Sequence, residues 1–368
     1  MDRIPFNPEE LNVLGKYPAR GANPNMMILN TPVTPKENLL ALYRKELPLW
    51  VPQFCEIKPF GPRVLPENQV RGMVLEANRM APSEFGGPDM FGVEWVFSPD
   101  IGGSMVKPGA PKVKDLSHWE DYVTMPDPDS WDWAGSLEAN RDFVVKGYGQ
   151  NLMRLTMFTG YFERLISLID FEDAAVAMID EDEQEHVHRL FSYLTDLYIK
   201  IIDHVMEIYP INLLQLHDDW GSQMEAFFSL DTVREMIVPY LKRLVDHCHS
   251  IGLFFDLHSC GRIKRLVPAM IEAGVDSWQP QAINDTWDLY RTYGDKIIIF
   301  VIPETTPKGL SPEEYDAMAK QWVEENIEAF RAHPFIMLST PMDPFGKMYI
   351  DPEFTRSVYK YSRLALDK

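Results

Sequence analysis

The chain has 368 residues, with 55 Asp and Glu against 35 Lys and Arg, so its net charge is -20 and its isoelectric point lies near 4.8. That balance argues against nucleic acid or anionic membrane as a partner, because both need clustered cations. A hydrophobic content of 45% with 20 Phe, 15 Tyr and 9 Trp excludes a disordered chain and predicts a large core.

Residues 1–46 carry Pro5, Pro8, Pro18, Pro24, Pro32 and Pro35 and read as an arm, ending in a helical run, ENLLALYRKEL, that Pro48 closes. The start, MDRIPFNPEEL, has no apolar leader, and no stretch approaches the roughly 18 apolar residues of a membrane span, so a cytoplasmic protein is expected. Strand candidates follow at LWVPQF (49–54) and FGVEWVF (91–97). Residues 98–135 are rich in Pro, Gly and Asp and predict a long loop excursion. From about residue 150 onward, short apolar runs alternate with helical periodicity: LMRLTMF, INLLQLH, LFFDLH, VDSWQP, KIIIFVI and FIMLST. Eight such runs predict an α/β fold, a (β/α)8 TIM barrel occupying residues 47–368 as one catalytic domain behind the arm. Between the runs, Val233, Met236, Ile237, Tyr240, Leu241, Leu244, Val245 and Cys248 form a helical stripe that Pro239 is expected to kink. Ser311-Pro312-Glu313-Glu314 is a capping box that starts a helix running to about Ala332.

Three cysteines, Cys55, Cys248 and Cys260, cannot make a fully paired disulfide framework. Cys248 lies on the apolar stripe, and Cys55 reads as a core or loop thiol. Cys260 stands apart, in LFFDLHSCGRI, where an apolar strand ends in His258-Ser259-Cys260-Gly261. Side chains two apart on a strand share a face, so His258 and Cys260 can converge on one ion at the barrel's active-site end. Imidazole with thiolate suits zinc; the other reading is a hydrogen-bonded core histidine and a small apolar thiol. A second strand end, LQLHDDWG, offers adjacent carboxylates, of which Asp219 is expected to face the axis as a catalytic group while Asp218 makes loop or cap bonds or takes part in the chemistry. Turn and N-cap roles ahead of MEAFFSL are the plain alternative for both. Asp343, in the loop after FIMLST, is the third metal-ligand candidate, with an Asp-Pro turn as its plain alternative. His217, His247, His249, His186 and His188 have no comparable strand-end partner and are read as surface or core histidines. No glycine-rich phosphate loop, G-x-S-x-G elbow or H-E-x-x-H is present.

Taken together, TPVTPKENLLALYR, FGVEWVF, GYFERLISLIDFEDA, LHDDWGSQ, LHSCGRI with GVDSWQPQ, and the last strand loop resemble the uroporphyrinogen decarboxylase-like superfamily, from about residue 33 onward. The resemblance includes cobalamin-dependent methyltransferases, and it implies a zinc ion held by His258 and Cys260. Those methyltransferases usually add a cysteine after the last strand. Here that loop reads LSTPMDPFG, so Asp343, Asp219, Glu94 or Glu304 is expected to supply an oxygen instead. One thiolate leaves zinc more acidic and favours a substrate oxygen over a thiol. The decarboxylases carry paired arginines after the first strand, and VPQFCEIKPFG has none, which disfavours decarboxylation.

The expected function is therefore transfer of a methyl group from a small, methoxylated aromatic donor to the Co(I) corrinoid of a partner protein. Tyr161, Trp220, Gln223, Trp278 and Gln281 are the candidate substrate contacts, although core packing explains the aromatics equally well. Alternatives are methylation of a thiol or pterin from methylcobalamin, a decarboxylase, and a non-catalytic barrel that binds a ligand or a corrinoid protein. A homodimer is among the expected assemblies.

Overall fold

The computed structural model describes residues 3–367 except 18–25, 100–102, 110, 149, 304–306, 335 and 338–349. The chain divides into two compact units, one of residues 1–58, 150–152 and 277–368, the other of residues 59–149 and 153–276.

In the first unit the arm forms an antiparallel pair, Val13–Lys16 with Met27–Leu29, followed by the helix Pro35–Tyr43. Thr34 and Glu37 close a capping box at its start: Thr34 Oγ1 accepts from the Glu37 N–H at 3.1 Å, and Glu37 Oε2 from the Thr34 N–H at 2.7 Å. The helix ends at Tyr43, ahead of Pro48, where Lys45 takes a left-handed φ of 60° and its N–H bonds to Leu42. A local turn stops it, not the proline. Residues 49–54 form no strand, which corrects the first strand expectation. Leu49, Trp50 and Val51 are buried, but the Leu49 N–H goes to the Asn38 side chain at 2.8 Å and the Val51 N–H to Ser362, so these donors are spent on side chains instead of a ladder. The strand forms later, at Ile57–Phe60, with all four residues buried. Toward the C-terminus, Ser277–Gln279, Ile298–Val301 and Ile336–Met337 pair in parallel. The helix Pro312–Ala332 starts at the predicted capping box. The final helix, Pro352–Leu366, ties down the arm: buried Arg363 and Tyr359 both donate to Glu10.

In the second unit the strand Leu152–Met157, from Met153 onward, lies beside Leu213–His217 and that beside Phe254–His258, all parallel, with Thr156 opposite Gln215, Gln215 opposite Asp256, and His217 opposite His258. These are the near-continuous apolar runs that a sheet covered on both faces requires. FGVEWVF is different, and its placement in the barrel is corrected. Glu94–Ser98 is the middle strand of a separate antiparallel sheet with Gly87–Pro88 and Gly103–Val106. Trp95 is buried while Glu94 and Val96 are exposed, the alternation of a sheet wetted on one face. The apolar stripe is buried as expected, Tyr240 only partly, and Ile237 breaks it into Leu230–Met236 and Val238–Ser250, with Pro239 in the first turn of the second helix.

Strand, loop and helix alternate through both units with parallel strands, which is the connectivity of a (β/α)8 TIM barrel with an N-terminal extension. Among the described residues no helix is long and apolar enough to cross a membrane.

Candidate metal centre

The strands Leu213–His217 and Phe254–His258 are neighbours, and each ends in Leu-His followed by two more residues that leave the sheet. Alternate residues share a face, so His217 and Asp219 point one way on the first, and His258 and Cys260 on the second. The register sets His217 directly opposite His258, and their rings stack with centroids 4.7 Å apart at 28°. One ligand atom from each of His217, Asp219, His258 and Cys260 lies within 4.8 Å of the others. Cys260 Sγ is 3.4 Å from His258 Nε2, and the Cys260 N–H donates to Asp219 Oδ1 at 2.6 Å.

The residues between the donors face away and hold the strand ends in place. Asp218 is fully buried and accepts from the Phe162 N–H at 3.3 Å, the Glu163 N–H at 3.0 Å and Trp220 Nε1 at 2.9 Å. It thereby caps the helix Tyr161–Ile169, whose own N-cap, Gly160, has no side chain to do so. A Cβ on Gly160 would stand 2.4 Å from Asp218 Cβ, so glycine is what lets the carboxylate approach. Ser259 Oγ accepts from the Trp220 N–H at 3.0 Å, and Gly261, at φ 92°, turns the chain where a Cβ would strike the Gly221 carbonyl.

Around the donors, negative charge dominates. Burial would raise the Glu163 carboxyl, but Arg71 and then His217 outweigh it and hold it down to about 2. Burial opposes charging of His217, and Glu163 overcomes that and raises it. Burial and the Glu163 charge push Asp219 up, and the same two causes take Asp218 to about 7. Burial and neighbouring Asp219 push the Cys260 thiol well above its ordinary range. Two imidazoles, one thiol and one carboxyl facing one another are a donor set that fits zinc, with cysteine as the soft ligand.

Of the predicted site residues, the structure brings together Asp219, His258 and Cys260. It adds His217, which the sequence reading left among the surface or core histidines. The missed signal was present: His-x-Asp ends one strand as His-x-Cys ends the next. Asp343 and Glu304 lie outside the described residues. Glu94 is exposed on the antiparallel sheet and lines a cavity of about 630 Å³ with Lys107 and Lys112; none of the four donors lines it. Tyr161 and Trp220 are fully buried, which corrects their reading as substrate contacts: the Tyr161 hydroxyl meets Thr195 Oγ1 and the Tyr240 carbonyl, and the Trp220 indole bonds Asp218. Gln223 is exposed in the loop after Trp220. Trp278 is buried in the other unit, where Gln281 is half-buried at the start of a turn. Cys248 is core, its thiol pushed up to about 12 by burial, and Cys55 is half-buried. His247 pairs with Asp203, His249 with Asp276, and His188 with the Tyr240 hydroxyl.

A family model described as uroporphyrinogen decarboxylase (URO-D) matches residues 86–300, a span that contains all four donors. Among solved structures, a methyltransferase from Methanosarcina mazei is similar over 91% of this chain and 98% of that chain, at 15% identity and a TM-score of 0.58. A dihydropteroate synthase from Coxiella burnetii in complex with pteroic acid is similar over 45% of this chain and 58% of that one, at 12% identity and a TM-score of 0.28. No curated protein matches. At 15% identity the first likeness is one of fold, and function has to be argued from the site.

Proposed function

The chain belongs to the uroporphyrinogen decarboxylase (URO-D) family, and from that membership we propose that it is a zinc-dependent methyltransferase of the cytoplasm. In this reading it moves a methyl group from a small methoxylated aromatic to the Co(I) corrinoid of a partner protein, as the substrate-side component of an O-demethylase. The observation that supports it is the meeting of His217, Asp219, His258 and Cys260 within 4.8 Å at neighbouring strand ends. A zinc ion there would supply Lewis acidity, stabilising negative charge on the oxygen that loses its methyl group. With a zinc ion bound, Asp219 and Cys260 would give up their protons and bring two negative charges to match the dication, and the histidines would bring neutral nitrogen. Three protein ligands suffice for a catalytic site, and Asp219, whose Oδ1 already accepts the Cys260 N–H, is the donor placed to yield to a substrate oxygen. Asp218 is kept from the substrate by its three donors and acts by holding the strand end. The net charge of -20 speaks against a polyanionic decarboxylase substrate.

The test combines metal analysis with two assays on the purified chain. About one zinc per chain is expected, together with release of a phenol from a methoxylated aromatic when a Co(I) corrinoid protein is present. Turnover of methylcobalamin with a thiol, and none with the aromatic, would sink the donor-side assignment. The zinc reading fails if His258→Ala and Cys260→Ala change neither metal content nor activity.

A further inference from the structure

We propose that Glu163 and Arg71 are positioning residues that select which nitrogen of His217 is presented to the metal, an inference that rests on the metal-centre reading above. A ligating histidine gives one ring nitrogen to the ion and donates the other N–H to an acceptor, which sets its tautomer and orientation. His217 Nδ1 lies 3.1 Å from Glu163 Oε2, so the nitrogen left for the ion is Nε2. His258 presents Nε2 as well, toward Cys260 Sγ.

Glu163 is itself held from two sides. Its other oxygen, Oε1, takes Arg71 Nη2 at 3.3 Å, and both side chains are only 12% exposed. Arg71 in turn lies over the rings of Trp95 at 5.0 Å and Phe158 at 5.5 Å, and Phe158 is tilted against the His217 ring at 5.4 Å. The carboxylate thus bridges a cation and a metal-ligand imidazole and is confined between them. Its helix is fixed by Asp218, which accepts the Glu163 N–H. One strand end therefore supplies two donors, His217 and Asp219, and through Asp218 anchors the residue that orients the first. A plain ion pair would need neither the second oxygen on the imidazole nor the shared helix cap.

Zinc affinity of the full-length protein, measured by competition with a chromophoric chelator, and the visible spectrum of the Co(II)-substituted protein test this. Glu163→Ala is expected to weaken zinc binding ten- to a hundred-fold and to shift the Co(II) bands. Glu163→Gln, which keeps an acceptor oxygen without the charge, should fall between that variant and the native chain. It also serves as the test should the alanine variant fail to fold. Arg71→Met should lose less than tenfold. If Glu163→Ala and Glu163→Gln both keep zinc affinity within twofold and leave the Co(II) spectrum unchanged while His258→Ala loses the metal, the positioning role is overturned and the metal centre stands. If the native chain binds no zinc at all, the metal-centre reading itself fails, a separate outcome.

Discussion

Glu163 and Arg164 are adjacent on one helix and serve two buried charged clusters of opposite character. Arg164 is fully buried between Asp89 and Glu67 and lies over the Phe91 ring at 4.5 Å. Asp89 is further supplied by the N–H groups of Phe91 and Val93 at 2.9 Å and by Trp95 Nε1 at 3.0 Å. In that cluster the anions face a guanidinium and backbone donors. Glu163 belongs to the other kind, where donor atoms of Asp219, Cys260, His217 and His258 face one another. The first cluster carries its cation within itself, whereas in the second four side chains of metal-ligand type face one another, the arrangement that the proposed zinc ion would complete.

The comparison can be broken by experiment, starting with the largest effect. Arg164→Leu leaves two buried carboxylates without their cation and should cost about 3–5 kcal/mol of stability in urea unfolding. A loss under about 1 kcal/mol would mean that the cluster is not a brace. For the open cluster the stabilisation should come from the ion. At zinc a thousand-fold above its dissociation constant, stripping the metal should remove about 4 kcal/mol from the native chain. The same chelator should leave the unfolding of Cys260→Ala almost unmoved.

Glu56 extends the contrast to a buried carboxyl held by neutral donors, Trp50 Nε1 at 2.8 Å and the Gln53 N–H at 3.1 Å. Burial raises it to about 7 from 4.5. The folded chain therefore holds this proton more tightly than the unfolded chain does. Its contribution is full below pH 4.5 and is lost as pH rises through 7, by about 3 kcal/mol. Glu56→Gln should accordingly gain on the native chain between pH 5 and 8; a pH-independent difference would refute the shift. The smallest effect belongs to the strand-end support. Gly160→Ala drives a methyl into Asp218 and should cost about 1–3 kcal/mol, with weaker zinc binding because the end that carries Asp219 must move. Unchanged stability would show that the helix cap is loose.

How far the sequence could be read depended on where each signal lay. Strands buried on both faces announce themselves, so LMRLTMF, INLLQLH and LFFDLH fell where expected. FGVEWVF misled because its apolar residues alternate with exposed ones, and that alternation marks a half-wetted antiparallel strand. LWVPQF was apolar for another reason: its buried residues pack and bond to the Asn38 and Ser362 side chains, with a single bridge at Gln53 in place of a strand. Tyr161 and Trp220 were misread because an aromatic near a strand end has the same sequence signature whether it lines a mouth or fills the layer beneath it.

By itself the sequence pointed to the class of fold and to His258, Cys260 and Asp219 as side chains that would meet at the strand ends, since each rests on alternation within one strand or its end. Tertiary structure decided that His217 joins them. The matching His-x-Asp and His-x-Cys strand ends were visible in the sequence, but only the pairing of the two strands in register sets His217 opposite His258. Glu163 and Arg71 were out of reach for the same reason: they lie on other elements, and only folding brings a carboxylate to the back of one imidazole and a guanidinium to the back of that carboxylate.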